Sequence, residues 1–304
     1  MEDTKPFLSV YGHVTIDQII TVKKFPAINE SVDVITKKTT MGGTGTNIAV
    51  ASAKLGTPTA LSAFIGSDFP KMYEDEIKDS GVLMDELVKV EGYETSQAIV
   101  LNDQMLEQKV IFYQGPQGCA SKLNIMLNKA AGRSSYVHFC TGDPEYYLSV
   151  MKTIHGGPIV AVDPAQEIYK MWDKDKLDRT LPYSDSVFCN AYEAKVMEQY
   201  LEIGDVMDID AELVVRTEGA EGSTAKIKGE IMKIPVIKGE AFVDATGAGD
   251  TYRAGFYAGL YNGYDIRDSL ILASAVSSFA VEKVGALTNI PTWDAAVKRA
   301  RKYL

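Results

Sequence analysis

The chain has 304 residues, of which 46% are hydrophobic and 24% are charged, and its net charge is −10. This length allows one large α/β domain or two average domains, and the composition is that of an ordinary soluble globular protein. An acidic chain argues against a nucleic-acid-binding surface, because such domains are usually basic, and no apolar run reaches the length of a membrane span. We therefore expect neither a nucleic acid nor a membrane as a partner.

The first predicted elements are strands. Residues 7–11 have the continuous apolar pattern of a buried strand, and two half-exposed strands follow at 16–20 and 31–36. Half-exposed strands this early do not belong in a parallel α/β core, so we expect them in a small β flap. A second flap segment, with strands at 96–101 and 108–113 joined by a polar turn, has the form of a hairpin and could pair with the first.

Strands and helices alternate in the rest of the chain. The predicted strands are 59–65, 82–90, 136–140, 158–162, 186–189, 213–216, an antiparallel pair at 223–227 and 230–234, and a strand-like run ending at 243; the predicted helices are 47–55, 69–79, 146–154, one starting at 191, 251–262, 269–281 and 292–303. Repeated βα units indicate a mostly parallel sheet covered by helices on both faces. We predict one α/β domain over residues 1–304, with a β lid built from about 14–40 and 92–114.

The most informative stretch is Asp-Ala-Thr-Gly-Ala-Gly-Asp at 244–250, just before a predicted helix. The first amides of a helix have no partner within it, and small side chains allow an anion to approach them. We therefore expect the amides around Gly247, Ala248 and Gly249 to hold a phosphate-type group. Asp250 would repel a resting phosphate, but it is suited to take a proton from a hydroxyl that attacks one.

Two common nucleotide-binding motifs do not fit the chain. The pattern G-x-G-x-x-G fails at Tyr252 after the glycines of 244–250, and it fails at Ile48 after the earlier glycine run. No Lys-Ser or Lys-Thr pair follows a glycine at P-loop spacing. The plain structural interpretation of 244–250 is a capped helix after a strand, and the acid at each end of the stretch makes it the less favoured one.

The stretch 244–250 resembles the C-terminal signature of the ribokinase-like (PfkB) carbohydrate kinases. The stretch Gly-Gly-Thr-Gly-Thr-Asn-Ile-Ala at 42–49 resembles the N-terminal signature of that family, and the resemblance covers essentially the whole chain. It implies a ribokinase-like α/β fold with a small β-sheet lid, ATP as phosphate donor, and Mg²⁺.

The resemblance also assigns an acceptor site. It implies that Gly42, Gly43 and Asn47 line the sugar pocket and that Asp17 holds two vicinal sugar hydroxyls. Adjacent glycines allow close approach of a ligand, and an asparagine can both donate and accept a hydrogen bond. Spacing alone would favour a flexible turn at Gly42 to Asn47 and a solvent-facing acid at Asp17.

Asn190 and Glu193 open the helix that follows the strand ending at Cys189. They share one helix face at the carboxyl edge of the sheet, where ligands of open α/β sheets bind. The plain alternative is an N-cap with a glutamate favoured by the helix dipole. The resemblance implies that this N-x-x-E pair organises Mg²⁺ near the transferred phosphate.

The ATP site is also assigned by resemblance. Thr217, Gly219 and Gly222 match the T-x-G-x-x-G segment that family members place against ATP, although an ordinary turn explains them equally well. With Asn190, Gly247 and Gly249 they complete the predicted nucleotide site. Some relatives bind a monovalent cation between a loop matching 283–286 and the residues matching Asp244 and Thr246, and the sequence does not decide whether this chain does.

The remaining reactive side chains indicate no other chemistry. His13, His138 and His155 lack metal-ligand spacing, and the cysteines have no CxxC spacing or close pairing, so we expect structural histidines and reduced thiols. The first six residues contain no apolar signal segment. These features predict a cytoplasmic protein.

We predict a Mg²⁺- and ATP-dependent kinase that phosphorylates a primary hydroxyl of a nucleoside or ribose-type sugar, because residues 12–17 and 25–26 look like those of archaeal-type nucleoside kinases. The nearest alternative is a kinase of another sugar or of a sugar phosphate, whose phosphate Lys37 or Lys109 would hold. A non-catalytic sugar or nucleotide sensor on the same scaffold, and a dehydrogenase, are less favoured. An exposed apolar flap edge would permit a homodimer formed lid to lid.

Overall fold

The computed structural model describes residues 5–105 and 107–304. The expectation that the first six residues contain no apolar signal segment therefore falls mainly on residues 1–4, which lie outside the described part. The strands in the described part are β1 (Leu8–Tyr11), β2 (Thr15–Val22), β3 (Val34–Gly42), β4 (Thr59–Gly66), β5 (Leu83–Val90), β6 (Ser96–Asn102), β7 (Gln108–Tyr113), β8 (Tyr136–Phe139), β9 (Ile159–Val162), β10 (Ser186–Asn190), β11 (Leu213–Thr217), β12 (Ser223–Ile227) and β13 (Glu230–Ile234). The helices there are α1 (Thr44–Lys54), α2 (Lys71–Asp79), α3 (Pro144–Ile154), α4 (Lys174–Thr180), α5 (Ala191–Leu201), α6 (Ala248–Tyr261), α7 (Ile266–Ala280) and α8 (Trp293–Ala300).

The larger sheet has the strand order β13-β12-β11-β10-β9-β8-β1-β4-β5. In this order, the strands between β11 and β5, namely β11, β10, β9, β8, β1, β4 and β5, all run parallel to one another. Strands β12 and β13 add an antiparallel hairpin at the β11 edge. Parallel strands joined by helices have both faces covered, and β4 accordingly is buried along its whole length. The prediction of a mostly parallel sheet is confirmed.

Helices pack on both faces of this sheet. Ile48 of α1, Ile77 of α2 and Phe256 of α6 belong to one buried apolar cluster. Met151 of α3 and Met197 of α5 belong to a second cluster. Successive side chains of a strand point to opposite faces, so the strands contribute to both clusters. No helix of residues 5–105 or 107–304 is long and apolar enough to cross a membrane.

The smaller sheet has the order β3-β2-β6-β7. Strand β2 pairs antiparallel with β3 and parallel with β6, and β6 pairs antiparallel with β7. The two predicted flap segments therefore do pair with each other. We call this four-stranded sheet the lid.

Two predicted strands differ from the structure. The strand predicted at 31–36 lies at Val34–Gly42 instead, because the Thr and Lys residues that follow it also pair with β2, at the solvent-facing edge. The strand-like run ending at Val243 is wrong, since residues 235–247 form an irregular segment. The amide of Val243 donates to the carbonyl of Val281, at the end of α7, rather than to a strand.

Candidate active site

A cleft of about 1410 Å³ separates the lid from the carboxyl edge of the larger sheet. Its walls come from β2, β6 and β7 of the lid, from the segments that follow β9, β10 and β11, and from the irregular segment and first turn of α6. Ligands of open α/β sheets bind at this edge. Asp17, Gly43, Asn47, Asn190, Glu193, Thr217, Gly219, Gly222, Gly247, Ala248, Gly249 and Asp250 all line the cleft. The sequence-predicted residues therefore converge on one cavity, with Gly42 the exception.

The start of α6 depends on Gly247. This residue is the N-cap and has φ +74°, a left-handed conformation that favours glycine. A Cβ at this position would lie 2.3 Å from Cβ of Ala286, so the loop at 283–286 also requires a glycine here. The Ala248 amide donates to the Ala245 carbonyl at 3.1 Å, within a turn. The helix thus begins in a tight turn at Gly247, in which the Ala248 amide already has a backbone partner.

Asp250 lies in the first turn of α6 and lines the cleft. Its Oδ2 accepts a hydrogen bond of 2.8 Å from Nδ2 of Asn47, which joins α6 to α1. Burial raises the pKa of Asp250 to about 6, while the Asn47 amide and the Arg253 guanidinium act in the opposite direction. A carboxylate with a pKa near neutrality is suited to accept a proton and release it again.

A buried ion pair that the sequence analysis missed lies behind Asp250. The Nε atom of Arg253 donates to Oδ2 of Asp163 at 2.7 Å, and its Nη1 atom donates to the carbonyl of Gly249 at 3.3 Å. His138 places Nε2 3.3 Å from the same Asp163 oxygen. Asp163 directly follows β9, so the logic that selected Asn190 after β10 could have found it; Arg253 gave no comparable signal.

Asn190 and Glu193 form a capping box at the start of α5. The Oδ1 atom of Asn190 accepts from the amides of Tyr192 and Glu193 at 2.8 and 2.9 Å, and Oε2 of Glu193 accepts from the Asn190 amide at 2.7 Å. Burial, followed by the charge of Asp163, raises the pKa of Glu193 to about 7. The two side chains therefore serve the helix terminus and also face the cleft.

Asp17 projects from β2 into the cleft. Its Oδ1 accepts from Oγ1 of Thr15 at 2.6 Å, and burial raises its pKa. A Cβ at Gly42 would lie 2.1 Å from Oδ2 of Asp17, so Gly42 leaves room for the carboxylate instead of forming the cleft wall. Gly43, with φ +96°, is the N-cap of α1 and connects β3 to that helix.

The side of the cleft where the resemblance predicts ATP, here called the donor side, is formed by the turn after β11 and by the irregular segment. Thr217, Gly219 and Gly222 lie on this side. Asp244 accepts from the amide and hydroxyl of Thr246 through Oδ1 and from the amide of Gly285 through Oδ2, at 2.7 to 2.9 Å. Asp244 therefore ties the irregular segment to the loop that follows α7.

A parallel sheet with an aspartate at a glycine-rich helix start on its carboxyl edge, faced by a small second sheet, defines a ribokinase-like kinase. The chain belongs to the pfkB family of carbohydrate kinases, whose sequence model matches residues 5–293. Both stretches that carried the resemblance, 42–49 and 244–250, lie within the match. The chain is thus a kinase of the carbohydrate and nucleoside class.

Individual relatives agree with this assignment. The chain is 34% identical over 300 residues to the nucleoside kinase of Methanocaldococcus jannaschii, which covers 97% of each chain. It is 33% identical over 303 residues to the nucleoside kinase of Methanothermobacter thermautotrophicus, covering 98% of this chain and 96% of the relative. The crystal structure of the M. jannaschii nucleoside kinase superposes with a TM-score of 0.90 at 32% identity, over 98% of this chain and 99% of the other.

Proposed function

We propose that this kinase transfers the γ-phosphate of ATP to a primary hydroxyl of a nucleoside or ribose-type sugar, with Mg²⁺ as its cofactor. The observation that carries the proposal is the pairing of Asp250 with Asn47 at the glycine-rich start of α6, in the same cleft as Asp17. The nucleoside kinases among the relatives support the choice of acceptor.

Asp250 acts on the acceptor. Its carboxylate takes the proton of the primary hydroxyl as the hydroxyl oxygen forms a bond to the γ-phosphorus and the bond from that phosphorus to the bridging oxygen of ADP breaks. The Asn47 amide fixes the orientation of the carboxylate through its 2.8 Å hydrogen bond. Asp17, with Gly43 and Asn47, orients the sugar for this attack.

The first turn of α6 holds the transferring group. The amides around Gly247, Ala248 and Gly249 lie at the N-terminus of α6, which is the positive end of the helix dipole and faces the cleft. Negative charge is stabilised there. Since the Ala248 amide already has a backbone partner, Gly249 and Gly247 are the better donors. The lid closes over the acceptor and excludes water, which would otherwise hydrolyse ATP.

The charges around Asp250 fit a divalent cation. Three carboxylates, from Asp163, Glu193 and Asp250, surround the single guanidinium of Arg253, and Oδ1 of Asp163 is buried with no partner among the described residues. Asn190, Glu193 and Asp163 would hold Mg²⁺. Part of this binding would be through water, because no three His, Cys, Asp or Glu side chains of the described part lie close enough together to hold a metal directly. Bound there, Mg²⁺ would neutralise charge on the phosphates of ATP.

The test is ADP release with Mg-ATP and a panel of nucleosides, sugars and sugar phosphates. Asp250→Asn should lower kcat by about 10²–10⁴-fold, because the proton acceptor is lost. Asp178→Asn, at an exposed acid of α4 outside the cleft, is the matched control. Full turnover by Asp250→Asn would refute the assignment of the base. Binding of nucleosides without any ADP release would favour a sensor.

Two further predictions need their own measurements. If a monovalent cation binds near Asp244 and Thr246, turnover should be faster in potassium than in a bulky organic cation.

A lid-to-lid homodimer is supported by the exposed apolar side chains of Val34, Ile35 and Ile111 on the outer strands of the lid. Light scattering of the full chain, compared with an Ile111→Lys variant, tests the dimer.

A further inference from the structure

Lys170 is placed at the acceptor end of the cleft. Among the described residues that line the cleft, the positive charges are those of Lys170, Lys238 and Arg253. Arg253 is paired with Asp163, and Lys238 belongs to the irregular segment on the donor side. Lys170 follows the short 3-10 helix after β9, and its Nζ lies 4.6 Å from the ring centroid of Phe112 in β7.

Strand register gives the distance from the sugar site to this lysine. Asp17 of β2 pairs with Ala98 of β6, and Ala98 pairs with Phe112 of β7, so the three form one row on the cleft side of the lid. Neighbouring strands are about 4.8 Å apart, which separates Asp17 from Phe112 by roughly 10 Å. A ribose held at Asp17 would therefore place a base on its first carbon beside Phe112 and Lys170.

The charge of Lys170 is already balanced. Its Nζ lies 3.3 Å from Oε1 of Glu167, a buried carboxylate that also accepts from Nε2 of Gln114 at 3.2 and 3.0 Å. A phosphate beside Lys170 would also lie beside this carboxylate and be repelled by it. A neutral oxygen or ring nitrogen would accept a hydrogen bond from the ammonium without that repulsion.

The lysines suggested by the sequence for a sugar phosphate are on the wrong side of the lid. Lys109 neighbours Val110, which lines the cleft, so its side chain points to the opposite face, where Nζ lies 4.6 Å from the Phe25 ring centroid. Lys37 pairs with Ile20, which pairs with Leu101, and Leu101 in turn pairs with Lys109. Lys37 therefore shares that outer face, and neither lysine lines the cleft.

We propose that Lys170, held by Glu167, is the specificity-determining residue of the acceptor site and donates a hydrogen bond to a carbonyl oxygen or ring nitrogen of a nucleobase. The inference rests on the proposed kinase function and deepens it, because it selects an uncharged nucleoside over a sugar phosphate. The Phe112 ring supplies the apolar surface beside the base.

The experiment compares kcat/KM for inosine, cytidine, ribose and fructose 6-phosphate with Mg-ATP. Lys170→Met keeps the apolar stem and removes the donor, and it should lower kcat/KM for the nucleosides by about 10–100-fold, the value of a hydrogen bond from a charged group. Ribose, which has no base, should be nearly unaffected. Glu167→Gln should improve the use of fructose 6-phosphate relative to inosine. Lys174→Met, at a half-exposed lysine of α4 outside the cleft, is the matched control.

The outcomes separate this inference from the proposed function. Equal losses for ribose and the nucleosides in Lys170→Met, or a wild-type preference for fructose 6-phosphate, would overturn the inference and leave the kinase function standing. If no acceptor yields ADP, the proposed function fails, and titration calorimetry with inosine then decides the inference. Weaker inosine binding to Lys170→Met than to wild type supports it, and equal affinity overturns it. Thermal melting of each variant confirms that the fold is retained.

Discussion

The hydrogen bond between Asn47 and Asp250 offers a direct test of what sets the pKa of the proposed base, Asp250. The amide of Asn47 donates to the ionised form of the Asp250 carboxylate, and a donor to the charged form lowers a pKa. Asn47→Leu keeps a side chain of similar size and removes the donor. The pKa of Asp250 should therefore rise above its value of about 6 in this variant.

The size of the change follows from the strength of the bond. A hydrogen bond to a charged group contributes about 1.5–3 kcal/mol, and one pKa unit corresponds to about 1.4 kcal/mol, so the pKa should rise by about one to two units. A base is active when deprotonated, so activity is lost as the pH falls through its pKa. At pH 7 the active fraction would fall from about nine-tenths to between about one-half and one-tenth.

The assay is the pH profile of kcat/KM for the acceptor from pH 5 to pH 9, followed by ADP release. Wild type should lose activity below a midpoint near pH 6, and in Asn47→Leu the midpoint should move to about pH 7–8. Asn47 is also proposed to contact the acceptor, so the height of the profile at pH 9 reports the loss of that contact separately. Asn128→Leu, outside the cleft, is the control. An acidic limb that stays at its wild-type position in Asn47→Leu would refute the reasoning.

Two other substitutions test the supports of the site. Gly247→Ala forces a left-handed backbone on a residue with a Cβ, at a cost of roughly 1–2 kcal/mol, and brings that Cβ to 2.3 Å from Cβ of Ala286. Both melting temperature and kcat should fall, and adding Ala286→Gly should recover only part of the loss; full recovery would contradict the backbone argument. Arg253→Met leaves the buried Asp163 carboxylate without the guanidinium that balances its charge and should cost about 3–5 kcal/mol in the free energy of unfolding, measured with denaturant. Combining it with Asp163→Asn should restore part of that stability, and strictly additive losses would show that the ion pair is not what matters.

The parallel core was predictable because its signals are local. A continuous apolar run, such as that at β4, followed by a helical pattern is typical of a buried strand and its crossover. The strand-like run that ends at Val243 nevertheless forms no strand. The sheet already ends at β13, and the amides of Val243 and Asp244 donate to the carbonyl of Val281 instead. Such a partner lies about forty residues away and leaves no trace in the local pattern.

The candidate site was predictable where function is carried by short motifs. The stretches 42–49 and 244–250 identified Asn47 and Asp250 separately, but their hydrogen bond joins residues 203 positions apart and needed the fold. The ion pair of Arg253 with Asp163 and the placement of Lys170 likewise depend on which segments meet at the sheet edge. The family resemblance also placed Gly42 in the wall of the pocket, whereas in the structure it makes space for Asp17.

The short link between β3 and α1 connects the proposed acceptor site at Asp17 to the proposed base, Asp250. Gly42 ends the lid strand beside Asp17, Gly43 is the single residue between strand and helix, and Asn47 reaches Asp250 from the second turn of α1. A movement of the lid toward the acceptor must be taken up within this link or passed on to Asn47. Because the Asn47 hydrogen bond lowers the pKa of Asp250, closure that shortens the bond would favour the ionised base at the moment the acceptor is enclosed. In the proposed mechanism, acceptor recognition and proton removal therefore depend on the same few residues.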